Sequence, residues 1–149
     1  GSLDDIEFPP GTAFDAIAAF DVFEHLTIPE LKSMLGRMDT LLAADGVIVA
    51  RFPNGGSPFG LAFQSGDITH RTFLNQGAME QLGDLTGFSV GSCMNAARTV
   101  SGRKAKFLKR LAFKLCDAIE IVVGVLYFRG RRMPLDANLV CLLRRARDI

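Results

Sequence analysis

The hydrophobic pattern between residues 15 and 52 predicts two strands with a helix between them. Residues 15–20 read Asp-Ala-Ile-Ala-Ala-Phe, a short run with small side chains that is typical of a buried strand. Residues 47–52, Val-Ile-Val-Ala-Arg-Phe, form the clearest predicted strand, because they are rich in β-branched residues and bounded by turn signals. Between the two strands, apolar residues at intervals of four, three and four predict one helical stripe. These residues are Leu31, Leu35, Met38 and Leu42.

The ends of the predicted helix carry their own signals. Thr27 can cap the amide of Glu30 while the Glu30 carboxylate reaches back, and Pro29 is tolerated in the first turn. Asp45-Gly46 is expected to end the helix and turn the chain. A strand–helix–strand unit of this length predicts two parallel strands joined by a right-handed crossover.

Two segments follow the carboxyl ends of the predicted strands, where open parallel sheets bind ligands. One is residues 21–25, Asp-Val-Phe-Glu-His, and the other begins at Pro53. Residues 53–71 are predicted to form a long loop rich in glycine, proline and serine. Because this loop also contains phenylalanine and leucine, it is expected to act as a lid or a pocket wall.

The remaining half of the chain predicts a mixture of helices and strands. A second helix is expected to begin after Thr72 or Asn75 and to end at Gly87 in a left-handed conformation. Residues 88–95 and 137–143 are expected to be strands. Residues 102–115 predict a basic amphipathic helix, whereas the apolar residues 119–128 fit either a helix or a strand.

Composition limits the class of protein. A chain of 149 residues with 48% hydrophobic and 22% charged residues is typical of one globular domain, here taken as residues 1–149. Because uninterrupted apolar runs of 18 residues are absent, a membrane-spanning helix is not expected. The chain also begins without the pattern of a secretory leader. The three cysteines are widely spaced, which favours free thiols and a cytoplasmic protein.

Charge is divided unevenly along the chain. Residues 1–97 contain 4 Lys/Arg and 12 Asp/Glu, whereas residues 98–149 contain 13 Lys/Arg and 4 Asp/Glu. The two parts can neutralise each other, or the basic part can dock on an acidic partner. Nucleic-acid binding is not expected, because the basic residues are not interleaved with a recognisable reading motif.

Residues 14–88 resemble the carboxyl-terminal half of class I S-adenosylmethionine-dependent methyltransferases, especially the branch that contains quinone and saccharide methyltransferases. The resemblance rests on the order and spacing of five phrases. These are Phe-Asp-Ala-Ile at 14–17, Asp-Val-Phe-Glu-His-Leu at 21–26, Leu-Leu-Ala-Ala-Asp-Gly-Val-Ile-Val at 41–49, Phe-Pro-Asn at 52–54 and Asp-Ile-Thr-His at 67–70.

The resemblance implies an α/β fold, a partial Rossmann-like sheet of parallel strands with crossover helices and a C-terminal antiparallel strand. It implies that the family's first three strands would precede residue 1. Those strands carry the glycine-rich turn and the acid that hold the cofactor, and neither motif is present in this chain. The chain is thus expected to hold only the acceptor side of the site, and the remainder of the chain, which includes the basic portion 98–149, is expected to supply the last two strands.

The implied function is S-adenosylmethionine-dependent methyl transfer to a small-molecule or saccharide acceptor, as part of a longer protein. The alternative is a truncated, non-catalytic methyltransferase-like module that acts in dimerisation or protein interaction. An unpaired edge of the fourth family strand would recruit a partner, so a homodimer or a domain-swapped arrangement is expected. The basic amphipathic helix is expected to pack as a lid, and peripheral membrane contact is the alternative.

The resemblance also implies roles for individual residues. Leu3, Phe20 and Asp21 fall where relatives contact the cofactor, and Asn54 either contacts the substrate or shapes a turn. His25 is expected to act as a general base or to begin the helix, and His70 to face the acceptor or to stabilise its loop. Imidazoles suit proton transfer near neutral pH.

A divalent cation is a further possibility at the first of these segments. Some relatives in the quinone branch bind one through an acid-x-x-Glu-His sequence, which this chain matches at Asp21, Glu24 and His25. Oxygen-rich ligation with one imidazole would suit Mg²⁺ or another hard divalent ion.

Overall fold

A computed structural model describes residues 6–98 and 105–146 of the chain. These residues form four strands, four helices and a 3₁₀ turn at Phe23–His25. In chain order they are β1 (Phe14–Phe20), α1 (Ile28–Leu41), β2 (Leu42–Pro53), α2 (Pro58–Gly66), α3 (Gln76–Thr86), β3 (Phe88–Asn95), α4 (Ala105–Tyr127) and β4 (Asn138–Arg145).

The four strands form one mixed sheet in the order β1-β2-β4-β3. β1 and β2 are parallel, and β4 lies between β2 and β3, antiparallel to both. The predicted parallel unit and the predicted closing antiparallel strand are therefore confirmed. The carboxyl ends of β1, β2 and β3 consequently lie at the same edge of the sheet, because all three run in the same direction.

One face of this sheet contains the core. Ile48, Ala50 and Phe52 of β2 are fully buried on it, and Leu31 and Leu35 of α1 pack into the same cluster. Met79 and Leu82 of α3 join them, so that α1 and α3 cover the same face. Side chains alternate between the two faces along a strand. The described helices cover the opposite face of the sheet less completely, and its side chains are more exposed to solvent.

β1 differs from the buried strand that its sequence predicts. Ala19 is its buried residue, whereas Ala16, Ala18 and Phe20 are exposed. Within the described residues β1 pairs with β2 along one edge, and its other edge has no partner. Its small side chains therefore mark a strand that is suited to burial but is only half covered here.

The α1–β2 junction also differs from the expected turn. α1 begins as predicted, because the Glu30 carboxylate accepts a hydrogen bond from the Thr27 amide at 2.7 Å. It ends at Leu41, and Asp45-Gly46 lies inside the long strand β2. Glycine is required there, because a Cβ atom at Gly46 would lie 2.9 Å from the carbonyl oxygen of Phe14 on β1.

The segment expected to be a long loop contains the helix α2. Ser57 caps its first turn by accepting a hydrogen bond from the Phe59 amide at 3.1 Å, and Pro58 occupies the first helical position. Serine followed by proline is a helix-start signal, which the glycine-rich surroundings obscured. α3 matches the sequence prediction, with Asn75 capping its start and Gly87 left-handed at its end.

The basic segment and the apolar segment after it form one continuous helix, α4, of 23 residues. The ambiguous residues up to 127 are therefore helical, and the start predicted at 102–104 lies outside the described residues. Among the helices of the described residues, none has the length and hydropathy to cross a membrane.

The expectation of free thiols is wrong for two of the three cysteines. Cys93 of β3 and Cys141 of β4 are register partners on adjacent antiparallel strands and form a disulfide. Their separation of 48 residues gave no local sign of this pairing, which the sheet register brings about. Cys116 of α4 is free. The cytoplasmic location stays a prediction, without the support that free thiols were expected to provide.

Candidate functional site

The candidate site begins where β1 and β2 end side by side. Asp21 follows β1 in a left-handed conformation (φ 55°), and its amide donates to the Arg51 carbonyl oxygen at 2.8 Å. Its carboxylate forms an ion pair with the Arg51 guanidinium, which also lies 5.3 Å from the ring centroid of Phe20. A non-glycine residue in this conformation costs on the order of 1 kcal/mol and is often found at functional sites.

Two hydrogen bonds attach a distant loop to the 3₁₀ turn after β1. The Glu24 carbonyl oxygen accepts from the Arg71 amide at 2.8 Å and from the Thr72 amide at 3.2 Å. As a result, the rings of His25 and His70 lie edge to face with their centroids 4.7 Å apart. The two predicted catalytic histidines thus belong to one site.

His25 is oriented by a chain of side-chain hydrogen bonds. Its Nδ1 lies 2.9 Å from Thr69 Oγ1, which lies 2.7 Å from Asp67 Oδ1. The single hydroxyl proton of Thr69 is donated to Asp67, so Nδ1 of His25 must be the donor to Thr69. In the neutral imidazole this arrangement leaves Nε2 unprotonated and able to accept a proton.

Thr69 and Asp67 also stabilise each other. The Thr69 amide donates to Asp67 Oδ1 at 2.8 Å, which closes a tight local turn. The Thr69 hydroxyl and then the Thr69 amide hold the pKa of Asp67 below its usual value. Asp67 therefore stays ionised as the acceptor at the end of this chain.

His70 has the same tautomer for a different reason. Its Nδ1 lies 3.1 Å from the Gln64 carbonyl oxygen, which can only accept a proton. Its Nε2 lies 3.8 Å from Asp67 Oδ2 and 4.0 Å from Glu24 Oε1. The loop-stabilising hydrogen bond of His70 thus leaves its Nε2 facing two carboxylates.

Glu24 is a buried acid beside both imidazoles. Its side chain is 1% exposed, and Oε2 has no hydrogen-bond partner within the described part of the chain. Burial raises the pKa of Glu24, and the nearby charge of Asp21 adds to the rise, while a backbone hydrogen bond and the two histidines oppose it. An unsatisfied buried carboxylate costs stability and is characteristic of functional sites.

One ligand atom from each of Glu24, His25 and His70 lies within 4.8 Å of the others. Asp21, a member of the predicted metal set, is not in this group because its carboxylate pairs with Arg51. A cavity of about 440 Å³ opens beside the three side chains and is also lined by Phe63 and Asp67. The cavity is large enough to admit part of a small molecule.

Asn54 lies apart from the histidines and uses its side chain for local structure. Its Nδ2 donates to the Pro134 carbonyl oxygen at 2.8 Å, and its Oδ1 accepts from the Gly56 amide at 3.1 Å. These bonds shape the loop after β2 and fix the segment before β4. Asn54 also borders a second cavity, of about 410 Å³, next to Tyr127 and Met133.

The sequence-predicted site residues therefore fall into three groups. Glu24, His25 and His70 are in one cluster, and Phe20 and Asp21 lie beside it at the end of β1. Asn54 is buried at the neighbouring strand end, and Leu3 lies outside the described residues.

Sequence reasoning missed three supporting residues of this site. Thr69 and Asp67 orient His25, and the buried Gln64 supplies the carbonyl group that orients His70. The Asp-x-Thr spacing at 67–69 is a local turn signal that could have identified the first two. Nothing in the sequence distinguishes Gln64.

Comparisons by sequence find no counterpart: no family model matches the chain, and no curated protein matches it. Solved structures match its fold. A SAM-dependent methyltransferase from Archaeoglobus fulgidus superposes with a TM-score of 0.58 at 16% identity, over 91% of this chain and 61% of that one. One from Clostridium acetobutylicum gives 0.56 at 8% identity, over 95% of this chain and 62% of that one.

The mitomycin 7-O-methyltransferase MmcR superposes with a TM-score of 0.58 at 9% identity, over 91% of this chain and 30% of its own. The chain spans less than two thirds of each of these relatives. At such identities the similarity shows the fold alone. The predicted fold, a partial Rossmann-like class I methyltransferase sheet, is thereby confirmed.

Proposed function

We propose that this chain forms the acceptor side of a S-adenosylmethionine-dependent methyltransferase that modifies a hydroxyl group of a small-molecule or saccharide acceptor. The supporting observation is the pair of histidines at the carboxyl edge of the sheet, each with Nδ1 in a hydrogen bond, so that Nε2 of each neutral ring is unprotonated. A pre-oriented Nε2 beside an open cavity is what removal of a hydroxyl proton requires.

S-adenosylmethionine, when bound, would supply an electrophilic methyl group on a positively charged sulfur, which would leave as a neutral thioether when an oxygen nucleophile attacks the methyl carbon. His25 accepts the hydroxyl proton at Nε2 while Thr69 and Asp67 hold its ring in place. His70 packs edge to face against the His25 ring and helps to hold it beside the cavity. Most of the catalysis then comes from alignment of the two reactants.

One side of a cofactor site fits the described residues. Phe20 is 51% exposed at the end of β1, and Asp21 follows it in a left-handed conformation. We assign these two residues to the methionine end of the cofactor. Leu3 is proposed for the adenine end, and the remaining contacts would come from strands that pair with β1.

Calorimetric titration with S-adenosylmethionine tests the assignment, using this chain and a longer native polypeptide that includes preceding residues. Binding is expected from the longer polypeptide and not from this chain. Tight binding by this chain would mean that the donor site is misassigned. Absence of binding by both would favour the alternative, a non-catalytic module for dimerisation or protein interaction.

Substitution of His25 tests the proposed proton acceptor in the form that binds the donor. His25→Gln is expected to lower kcat by about 10²–10⁴-fold without weakening donor binding, because general-base catalysis contributes in that range. S-adenosylhomocysteine release, measured with a panel of saccharides and phenols, gives the rate. Ile68→Ala is the matched control, because Ile68 lies in the same loop and is fully exposed. Equal losses in both variants would contradict a specific role for His25.

A second candidate role for the cluster is to bind a divalent cation, and the unpartnered Oε2 of Glu24 favours it. The converging donors are two imidazoles and one carboxylate, a set that suits a transition-metal ion better than Mg²⁺. Titration with Zn²⁺ is expected to show binding that Glu24→Gln removes and Asp21→Asn retains. Loss of binding in Asp21→Asn as well as in Glu24→Gln would instead support the sequence-predicted set of Asp21, Glu24 and His25.

For this chain by itself, the edge of β1 that has no partner among the described residues supports the proposal that two copies associate as a homodimer or by exchange of strands. Light scattering after size-exclusion chromatography tests this proposal. A dimer is expected, and a monodisperse monomer would exclude association through that edge.

A further inference from the structure

α4 is attached to the rest of the molecule along one side only. Glu120, fully buried, accepts hydrogen bonds from Asn95 Nδ2 at 2.6 Å and from the Leu135 amide at 3.0 Å. One turn away, a Cβ atom at Gly124 would lie 2.5 Å from the Arg131 carbonyl oxygen, so the helix and the following loop touch there. The attached side is therefore polar and tightly packed.

Arg98 completes this attachment. Its guanidinium pairs with Asp136, with Asp117 at 3.1 Å and with Glu120 at 3.7 Å, and it donates to the Phe113 carbonyl oxygen at 3.2 Å. Hydrogen bonding to Asp136 is the main reason that the pKa of Arg98 is raised above its usual value. The network fixes the direction in which α4 leaves the sheet.

The opposite side of α4 is apolar and exposed. Phe107, Leu111 and Leu115 recur every fourth residue, and Val122 and Leu126 continue the same stripe. Their exposed fractions are 79%, 56%, 63%, 55% and 68%. A helix of 23 residues is about 34 Å long, and the stripe extends along most of it.

The charges beside this stripe are positive. Lys109, Arg110 and Lys114 are exposed on α4, and within the described part of the chain none of the three has an ion-pair partner. The two carboxylates of α4, Asp117 and Glu120, are both engaged by Arg98 and Arg132. The surface that α4 presents to a partner therefore combines hydrophobic side chains with uncompensated cations.

We infer that α4 lies on the surface of an anionic membrane, with its apolar stripe in the lipid and its lysines and arginine at the headgroups. An apolar helical face flanked by cations matches an interface between hydrocarbon and negative headgroups. A second copy of α4 is a poorer partner, because its exposed cations would face those of the first. Strands added at the free edge of β1 would lie at the other end of the sheet from β3 and β4, which α4 connects.

Cosedimentation of this chain with vesicles tests the inference. Vesicles of phosphatidylcholine and phosphatidylglycerol in equal amounts are expected to bind the protein, and vesicles of phosphatidylcholine alone to bind it at least tenfold more weakly. High salt is expected to reduce the binding, because the headgroup attraction is screened. Absence of binding to the anionic vesicles would overturn the inference.

Variants of the exposed face separate lipid binding from unfolding. Neutralising Lys109, Arg110 and Lys114 to glutamine is expected to lower the partition coefficient roughly 100-fold. Leu111→Asp is expected to abolish binding with the circular dichroism spectrum unchanged. Leu85→Asp is the matched control, because Leu85 is 62% exposed on α3 and should be neutral. Equal loss in the control would overturn the assignment to α4. Conversion of a wild-type dimer to a monomer by Leu111→Asp would also overturn the inference, because the apolar face of α4 would then bind a second copy of the chain.

Discussion

α1 and α4 have similar hydrophobic patterns and opposite surroundings. In α1, Leu31 and Leu35 are fully buried against the sheet. In α4, Leu111 and Leu115 have the same spacing and are 56% and 63% exposed. An apolar stripe therefore specifies which face of a helix will be covered, but not what covers it.

The difference follows from where each helix connects to the sheet. α1 joins two adjacent parallel strands, and a right-handed crossover returns it over their shared face. α4 joins the antiparallel strands β3 and β4, which can pair without any helix between them. Its position is set by the polar network around Glu120, and its apolar face is left for another partner.

The largest expected contrast between the two helices is in stability. Leu35→Ala is expected to lower the free energy of unfolding by about 2–5 kcal/mol, because it leaves a cavity in the core. Leu115→Ala is expected to change it by less than about 0.5 kcal/mol, because its side chain is already in contact with solvent. Urea unfolding followed by circular dichroism measures both. Similar losses would show that the face of α4 is covered in solution.

An intermediate effect is expected at the attachment of α4. Glu120→Gln removes the charge that pairs with Arg98 and Arg132, and should cost about 1–3 kcal/mol. Amide hydrogen exchange should accelerate in α4 and around Leu135 while α1 stays protected. Asp117→Asn is the comparison variant, because Asp117 is 44% exposed and should have a smaller effect. Uniform acceleration over both helices would mean that α4 is not a separate unit.

The smallest expected effect concerns the first turn of α1. Thr27→Ala removes the hydroxyl that donates to the Glu30 carboxylate and should lower the stability slightly at neutral pH. The Thr27 hydroxyl and amide hold the pKa of Glu30 below its usual value. Stability from this contact is therefore present above the usual carboxyl range and is lost as the pH falls through the lowered pKa. Thermal unfolding from neutral to acidic pH should show the variant and wild type converging. A difference that stays constant would exclude Glu30 as the cause.

Local signals predicted much of the fold. The capping residues of α1, Asn75 before α3 and Gly87 after it are all in the predicted places, because caps depend on neighbouring residues. Two of the predictions that were wrong depended on distant neighbours. The length of β2 follows from its pairing with β1, and the disulfide follows from the register between β3 and β4.

The candidate site likewise combines features that follow from neighbouring residues with features that follow from contacts between distant residues. The sequence by itself determined that His25 follows a strand and that His70 lies in a polar loop, because both facts depend on adjacent residues. Tertiary structure alone decided that the two rings meet 4.7 Å apart, since the amides of Arg71 and Thr72 bind the Glu24 carbonyl group across more than 40 residues. It also decided that Glu24 is buried and that the apolar stripe of α4 is exposed. A hydrophobic pattern records the preference of a face for burial, whereas its actual burial depends on which surfaces the completed sheet brings near it.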